Sequence, residues 1–305
     1  MAIGDVAKVD GLAKASILNI DGVTVPSGLT YSPPLDTYTG AAVAFSVRLL
    51  RTAYTGSCLR VRRDIDDVET DIGFTSGGLV DEAAIATHCG ASTGHLVYWY
   101  DQSGNGNDAF QSSAAAGDRA IQPLIYNGST VYSLNSKPTL YFNGADYFSA
   151  TLSAVSQTGR RNEFGVASFE STLETSKGGI ITQDIIDGGG RICQNIYVSN
   201  SNVGSTNISG GISTGTGSTT LTTDQQYLFS VEQTATNLIV YVNGTQDASV
   251  ASSGSTGSSK FGIGYASNQA QQYYGNIQEI IMYNSDKSSD RSSIESNIDS
   301  YFSIS

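Results

Sequence analysis

Positive charge is scarce in this chain: 16 Lys and Arg stand against 28 Asp and Glu in 305 residues, a formal net charge of −12. A phosphate-binding surface needs clustered Lys and Arg, so nucleic acid is not expected as a partner. Histidine is scarcer still, with only His88 and His95 flanking a short loop beside Cys89. Structural zinc usually takes four Cys or His ligands, so the pair reads as helix-end and strand-start residues bonded to backbone. Cys58, Cys89 and Cys193 are an odd count and no disulfide framework, which points to synthesis in a reducing compartment. Whether Cys58 pairs with Cys89 stays open. No apolar run approaches the ~20 residues that cross a bilayer. The start, Met1-Ala2-Ile3-Gly4-Asp5, lacks the charged and apolar regions of a secretory signal. Neither a membrane partner nor secretion is therefore expected.

Charged residues make up only 14% of the chain, against a usual share of about 25%, and Gly, Ser, Thr and Asn take their place. That exchange suits many short strands joined by turns, and 39% hydrophobic residues suffice for a large core. Leu59 and Val61 alternate with arginines over 58–63, as in a half-buried strand. Pro138 to Phe148 reads as strand, Asn143-Gly144 turn and strand. Tyr227 to Gln233, Leu238 to Val242, Phe261 to Tyr265 and Ile277 to Tyr283 read as strands, with a reversal at Asn243-Gly244. Helices are expected over 41–53, where Ala42, Phe45, Leu49 and Ala53 share a face, and over 79–89, closed by Gly90. A last helix, capped by Ser288 or Ser289, carries Ile294, Ile298 and Phe302 on one stripe. The Ser, Thr, Gly and Asn stretch over 199–224 reads as a long exposed loop.

Residues 1–30 form a separate attachment segment, and 31–305 the main domain. Within the segment, Val6, Val9 and Leu12 recur as Ile17, Ile20 and Val23 eleven residues later, each unit containing an Asp-Gly turn signal. Pieces this short cannot bury an apolar face alone. They must lie on the domain, pair with copies of the chain or dock on another protein.

One string carries more than local structure. Tyr100-Asp101-Gln102-Ser103-Gly104-Asn105-Gly106-Asn107 follows the apolar run Leu96-Val97-Tyr98-Trp99 and resembles a stretch of the family 54 α-L-arabinofuranosidases and of lectin-like domains in phage structural proteins. Blocks at 44–50, 53–56, 59–63, 77–84, 88–89, 260–264 and 275–279 resemble the arabinofuranosidase domain in the same order. The resemblance implies an all-β, concanavalin A-like antiparallel β-sandwich (jelly roll) with a few short helices. It implies fold more strongly than activity.

Retaining glycosidases need two carboxylates about 5 Å apart. The resemblance puts the acid/base just after the Gly262-Ile263-Gly264 strand, where Tyr265-Ala266-Ser267-Asn268 holds no acid. It puts the nucleophile on a strand matching Ile192 to Ser199, again without an acid. Gly94 stands where a second cysteine of that family would pair with Cys89. Asp184, Asp187, Glu232 and Glu279 read as solvated surface acids, so the chain is expected not to be an enzyme. A sugar-binding surface is expected instead at Tyr265, Asn268, Gln271, Gln272, Tyr273 and Tyr274, since aromatic faces stack on sugars and amides bond their hydroxyls. Asp101, Ser103 and Asn105 have the alternate spacing of Ca²⁺ ligands, but the twelfth position is Ser112 rather than Glu. Turn stabilisation is the favoured role, and no cofactor is expected.

These readings converge on a tailed-phage virion structural protein: a head decoration, fibre or tail-spike component made in the host cytoplasm and displayed on the virion surface. Its attachment segment would bind other virion proteins or sister copies, as a homo-oligomer and by analogy a trimer, and its domain would bind glycans. The alternative is a secreted carbohydrate-binding or arabinofuranosidase-like glycoside hydrolase module.

Overall fold

The computed structural model describes residues 28–111, 118–151, 160–170, 178–183, 193–199, 202–208, 212–251, 260–266 and 271–304, with two-residue segments at 8–9, 12–13, 19–20 and 23–24. The first strands of the main body are Val43–Ser46 (β1), Leu59–Arg63 (β2), Glu69–Ile72 (β3), Thr93–Trp99 (β4), Ala109–Phe110 (β5) and Leu124–Asn127 (β6). The middle group is Leu140–Asn143 (β7), Phe148–Thr151 (β8), Arg161–Phe169 (β9), Gly178–Gln183 (β10), Cys193–Ser199 (β11) and Asn202–Ile208 (β12). The last are Ile212–Thr220 (β13), Tyr227–Gln233 (β14), Asn237–Val242 (β15), Thr245–Ala251 (β16), Lys260–Ile263 (β17) and Tyr274–Tyr283 (β18). Helices cover Pro34–Thr37 (α1), Glu82–Cys89 (α2) and Arg291–Phe302 (α3).

All the pairings are antiparallel. β18 lies at the centre, with β9 along one edge and β7 and then β1 along the other. β14, β15 and β16 continue outward from β9, while β6, β4, β2 and β3 continue from β7. A second run joins β8, β17, β10, β11, β12 and β13, linked to the first through the two-residue strand β5. Phe148, Ile180 and Ile263 from the second run share one buried cluster with Phe164, Val166 and Phe229 from the first. The expected all-β antiparallel sandwich is therefore observed. The turn at Asn243-Gly244 is also as expected, with both residues at positive φ (48° and 76°) as a tight hairpin turn requires.

Three local expectations are corrected. Residues 41–53 are not helical: β1 pairs with β18, and residues 41–50 are all buried. A strand covered on both faces has no two-fold pattern, so the spacing of its large residues imitated a helical stripe. The stretch 199–224 is not one loop, since β12 and β13 pair from Asn202↔Thr220 to Ile208↔Ile212. Backbone pairing does not require apolar side chains, and composition alone concealed these strands. α3 follows Asp290 rather than a capping serine, and Ser288 Oγ bonds to Asp286 Oδ1 at 2.6 Å. Its stripe is as expected, with Ile294, Ile298 and Phe302 fully buried.

Within residues 1–30, Val9 pairs with Leu12 and Ile20 with Val23 in two short ribbons. Val6 and Ile17 lie outside the described residues. Among the described residues no helix is long and apolar enough to cross a membrane.

Candidate functional site

The expected glycan residues divide on inspection. Tyr273 is a core residue, fully buried against Phe142, and its hydroxyl bonds to the Ser168 carbonyl, so it cannot stack on a sugar. Tyr265 and Gln272 pair in a two-residue ribbon with Ala266 and Gln271. Asn268 lies outside the described residues. Tyr274 is half-buried and meets a cluster that the sequence did not reveal.

That cluster is built where β7, β9 and β18 run together. Leu140 and Phe142 point into the core, so Tyr141 takes the opposite face of β7. Its ring stacks on Tyr132 at 4.9 Å and 5°, and meets Tyr274 edge-on at 6.1 Å. Glu170 follows the last residue of β9, and its backbone N–H bonds to the Tyr274 carbonyl at 3.1 Å. Gly275 allows this approach, because at φ 146° a Cβ there would lie 2.1 Å from the Ser168 carbonyl oxygen. The Tyr141 hydroxyl lies 3.4 Å from Glu170 Oε2 and 3.2 Å from the Tyr274 hydroxyl. Asp224 completes the group: it holds φ 60°, and its N–H bonds to the Phe169 carbonyl at 2.8 Å.

The electrostatics follow from this packing. Partial burial, and then the charge of Asp224, raise the Glu170 carboxyl above its usual range, while bonds from Tyr141 and Tyr274 oppose the shift. A half-buried carboxyl that keeps its proton to higher pH is suited to donate it, and the Asp224 carboxylate is near enough for its charge to act on it. Glu170 escaped sequence reading because all nine residues of β9 are buried, leaving no alternation to say where the strand ends. The alternation around Leu140 and Phe142 was the one usable signal, and it pointed to Tyr141.

The other candidate residues have structural roles. Asp101 accepts from the backbone N–H groups of Ala44, Ser103 and Asn107 and from Ser103 Oγ. Asn105 Nδ2 donates to the carbonyls of Ala41 and Ala42. The three residues proposed as calcium ligands thus fasten their loop to β1, and their polar atoms serve the backbone. Among the described residues no group of three His, Cys, Asp or Glu has metal-binding geometry. Cys58 and Cys89 are both free and buried. Glu279 is not a solvated acid: it is buried and bound through both oxygens by Arg48, at 2.7 and 2.9 Å. Glu232 is partly buried and accepts from the Tyr241 hydroxyl. Asp184 and Asp187 lie outside the described residues.

Comparison with known proteins gives this arrangement a context. Residues 35–180 match the family model of the α-L-arabinofuranosidase B catalytic domain. A probable α-L-arabinofuranosidase B of Aspergillus clavatus is 32% identical over 143 residues, covering 41% of this chain and 28% of the relative. That of Aspergillus flavus is 29% identical over 149 residues, 43% of this chain and 29% of the relative. A family 54 arabinofuranosidase soaked with a cyclic sulfate inhibitor superposes with a TM-score of 0.63 at 18% identity, over 88% of this chain and 65% of that one. A mutant of such an enzyme soaked with 4-nitrophenyl α-L-arabinofuranoside gives 0.65 with the same coverage.

The fold is that of a family 54 arabinofuranosidase catalytic domain. The match to the curated relatives spans less than a third of their length. These findings overturn the expectation of a non-enzymatic virion protein, and the virion-surface location falls with it. The matching family model is a catalytic domain, and the relatives are fungal arabinofuranosidases.

Proposed function

We propose that this chain is a glycoside hydrolase that releases terminal α-L-arabinofuranosyl groups from polymers, acting outside the cell where such polymers lie. The observation that carries the proposal is Glu170: a half-buried carboxyl of raised pKa, ringed by tyrosines, inside the stretch matched by an arabinofuranosidase catalytic model. Protonated Glu170 donates to the departing glycosidic oxygen, and Asp224 supplies the second carboxylate. Tyr132, Tyr141 and Tyr274 present the apolar ring surfaces on which a sugar rests.

The expected result is turnover of 4-nitrophenyl α-L-arabinofuranoside by the purified chain, reduced about 10²-fold or more in Glu170→Gln with circular dichroism unchanged. The rate should fall as pH rises through the raised Glu170 pKa, because the donor must be protonated.

A second reading, a carbohydrate-binding module, is favoured by one observation: no Asp or Glu occurs over 261–278 or 192–199. Absence of turnover together with saturable binding of arabino-oligosaccharides would select it.

A further inference from the structure

A cavity of about 570 Å³ opens on another part of the molecule, between Gly28–Ser32, Gly77, Leu79, Lys137 and the C-terminal half of α3. Its volume lies within the ~300–1,000 Å³ of small-molecule sites. We propose that it binds an acidic monosaccharide unit, a uronic acid, whose carboxylate pairs with Lys137.

Charge supports this assignment first. The chain carries −12 overall, yet none of the described residues lining the cavity is acidic, and Lys137 is the cation among them. Lys137 makes no ion pair with a described residue; its Nζ lies 4.7 Å from the centre of the Tyr301 ring. A half-buried ammonium held over an aromatic face retains donors for an incoming anion.

The shape and rigidity of the walls support a ring-shaped ligand. Tyr31 and Tyr301 meet edge to face at 4.9 Å and supply apolar surface. The Tyr31 hydroxyl is held by the carbonyls of Leu49 and Gly78, at 3.0 and 2.9 Å. Asn297 braces the rim by donating to the Ser32 carbonyl at 2.8 Å, while its Oδ1 accepts from Arg48 Nη2 at 3.2 Å. A wall fixed in this way loses little freedom when a ligand enters. Ser300 and Ser303 expose hydroxyls at the mouth, matching the hydroxyl groups of a sugar.

The site is separate from the Glu170 cluster, and its test does not depend on hydrolysis. Isothermal titration of the full chain with D-glucuronate should give saturable binding, with D-glucose and acetate silent at the same concentrations. Lys137→Gln should weaken glucuronate about tenfold or more. Ser300→Trp, an exposed helical position, should fill the cavity and abolish binding, with the thermal unfolding of both variants unchanged. No glucuronate binding would overturn the proposal, as would binding that survives both substitutions. Acetate binding as tightly as glucuronate would reduce the site to an unspecific ammonium and would equally overturn it.

Discussion

Asp146 is a carboxyl in an unfavourable place. It is fully buried, one oxygen accepts the Asn143 N–H at 2.8 Å, and the other has no hydrogen-bond partner among the described residues. Burial pushes its pKa up to about 7. Its folded value exceeds the unfolded value of about 4, so the native state holds the proton more tightly. The group costs nothing below about pH 4, and stability is lost progressively as pH rises to about 7. Asp146→Asn keeps the acceptor without the charge. The variant should match wild type near pH 4 and melt a few degrees higher at pH 8, which calorimetry at the two pH values would check. Equal pH slopes in both proteins would contradict the argument. Residues of this kind were not legible in the sequence, because nothing local distinguishes a buried Asp from a solvated one. Asp101 was legible, since Asp-x-Ser-x-Asn-Gly is a turn signal whatever surrounds it.

At the level of elements, Arg48 and Glu279 fasten β1 and α3 to the central strand. Both side chains are buried, Ser46 Oγ adds a bond to Glu279 at 2.7 Å, and the Arg48 guanidinium lies 4.3 Å from the Tyr301 ring centre. Removing one partner leaves the other charged and unpaired in the interior, at a cost of about 3–5 kcal/mol. Arg48→Met and Glu279→Gln should each lose that much in urea unfolding. Replacing both, as Arg48→Met with Glu279→Leu, should recover most of it, because an apolar pair needs no charge compensation. Additive losses in the double variant would show that the two residues act independently. The pair was hidden in the sequence by a separation of 231 positions. The helix expected over 41–53 failed for a related reason: the neighbour that makes β1 a strand is β18, and no local pattern announces it. Hairpins such as the one at Asn243-Gly244 were legible because their turn chemistry lies within the same few residues.

For the whole molecule, composition and turn residues made the many short strands legible and the resemblance implied the sandwich, but the candidate site was not legible, because it depends on which carboxyl meets which tyrosine across three strands. The N-terminal segment poses a similar question at larger scale. Its ribbons, Lys8–Val9 with Leu12–Ala13 and Asn19–Ile20 with Val23–Thr24, are two residues per strand and pair only among themselves in the described segments. Ribbons of that length are not stable alone, so they need a surface: their own sandwich, another copy of the chain or another protein. We propose self-association through this segment, residues 1–30. Light scattering of the full chain should give a multiple of 32.0 kDa, and removal of residues 1–30 should leave a single copy with an unchanged melting temperature and unchanged arabinofuranoside turnover. An unchanged oligomeric state with a lowered melting temperature would instead mean that the segment packs on its own sandwich.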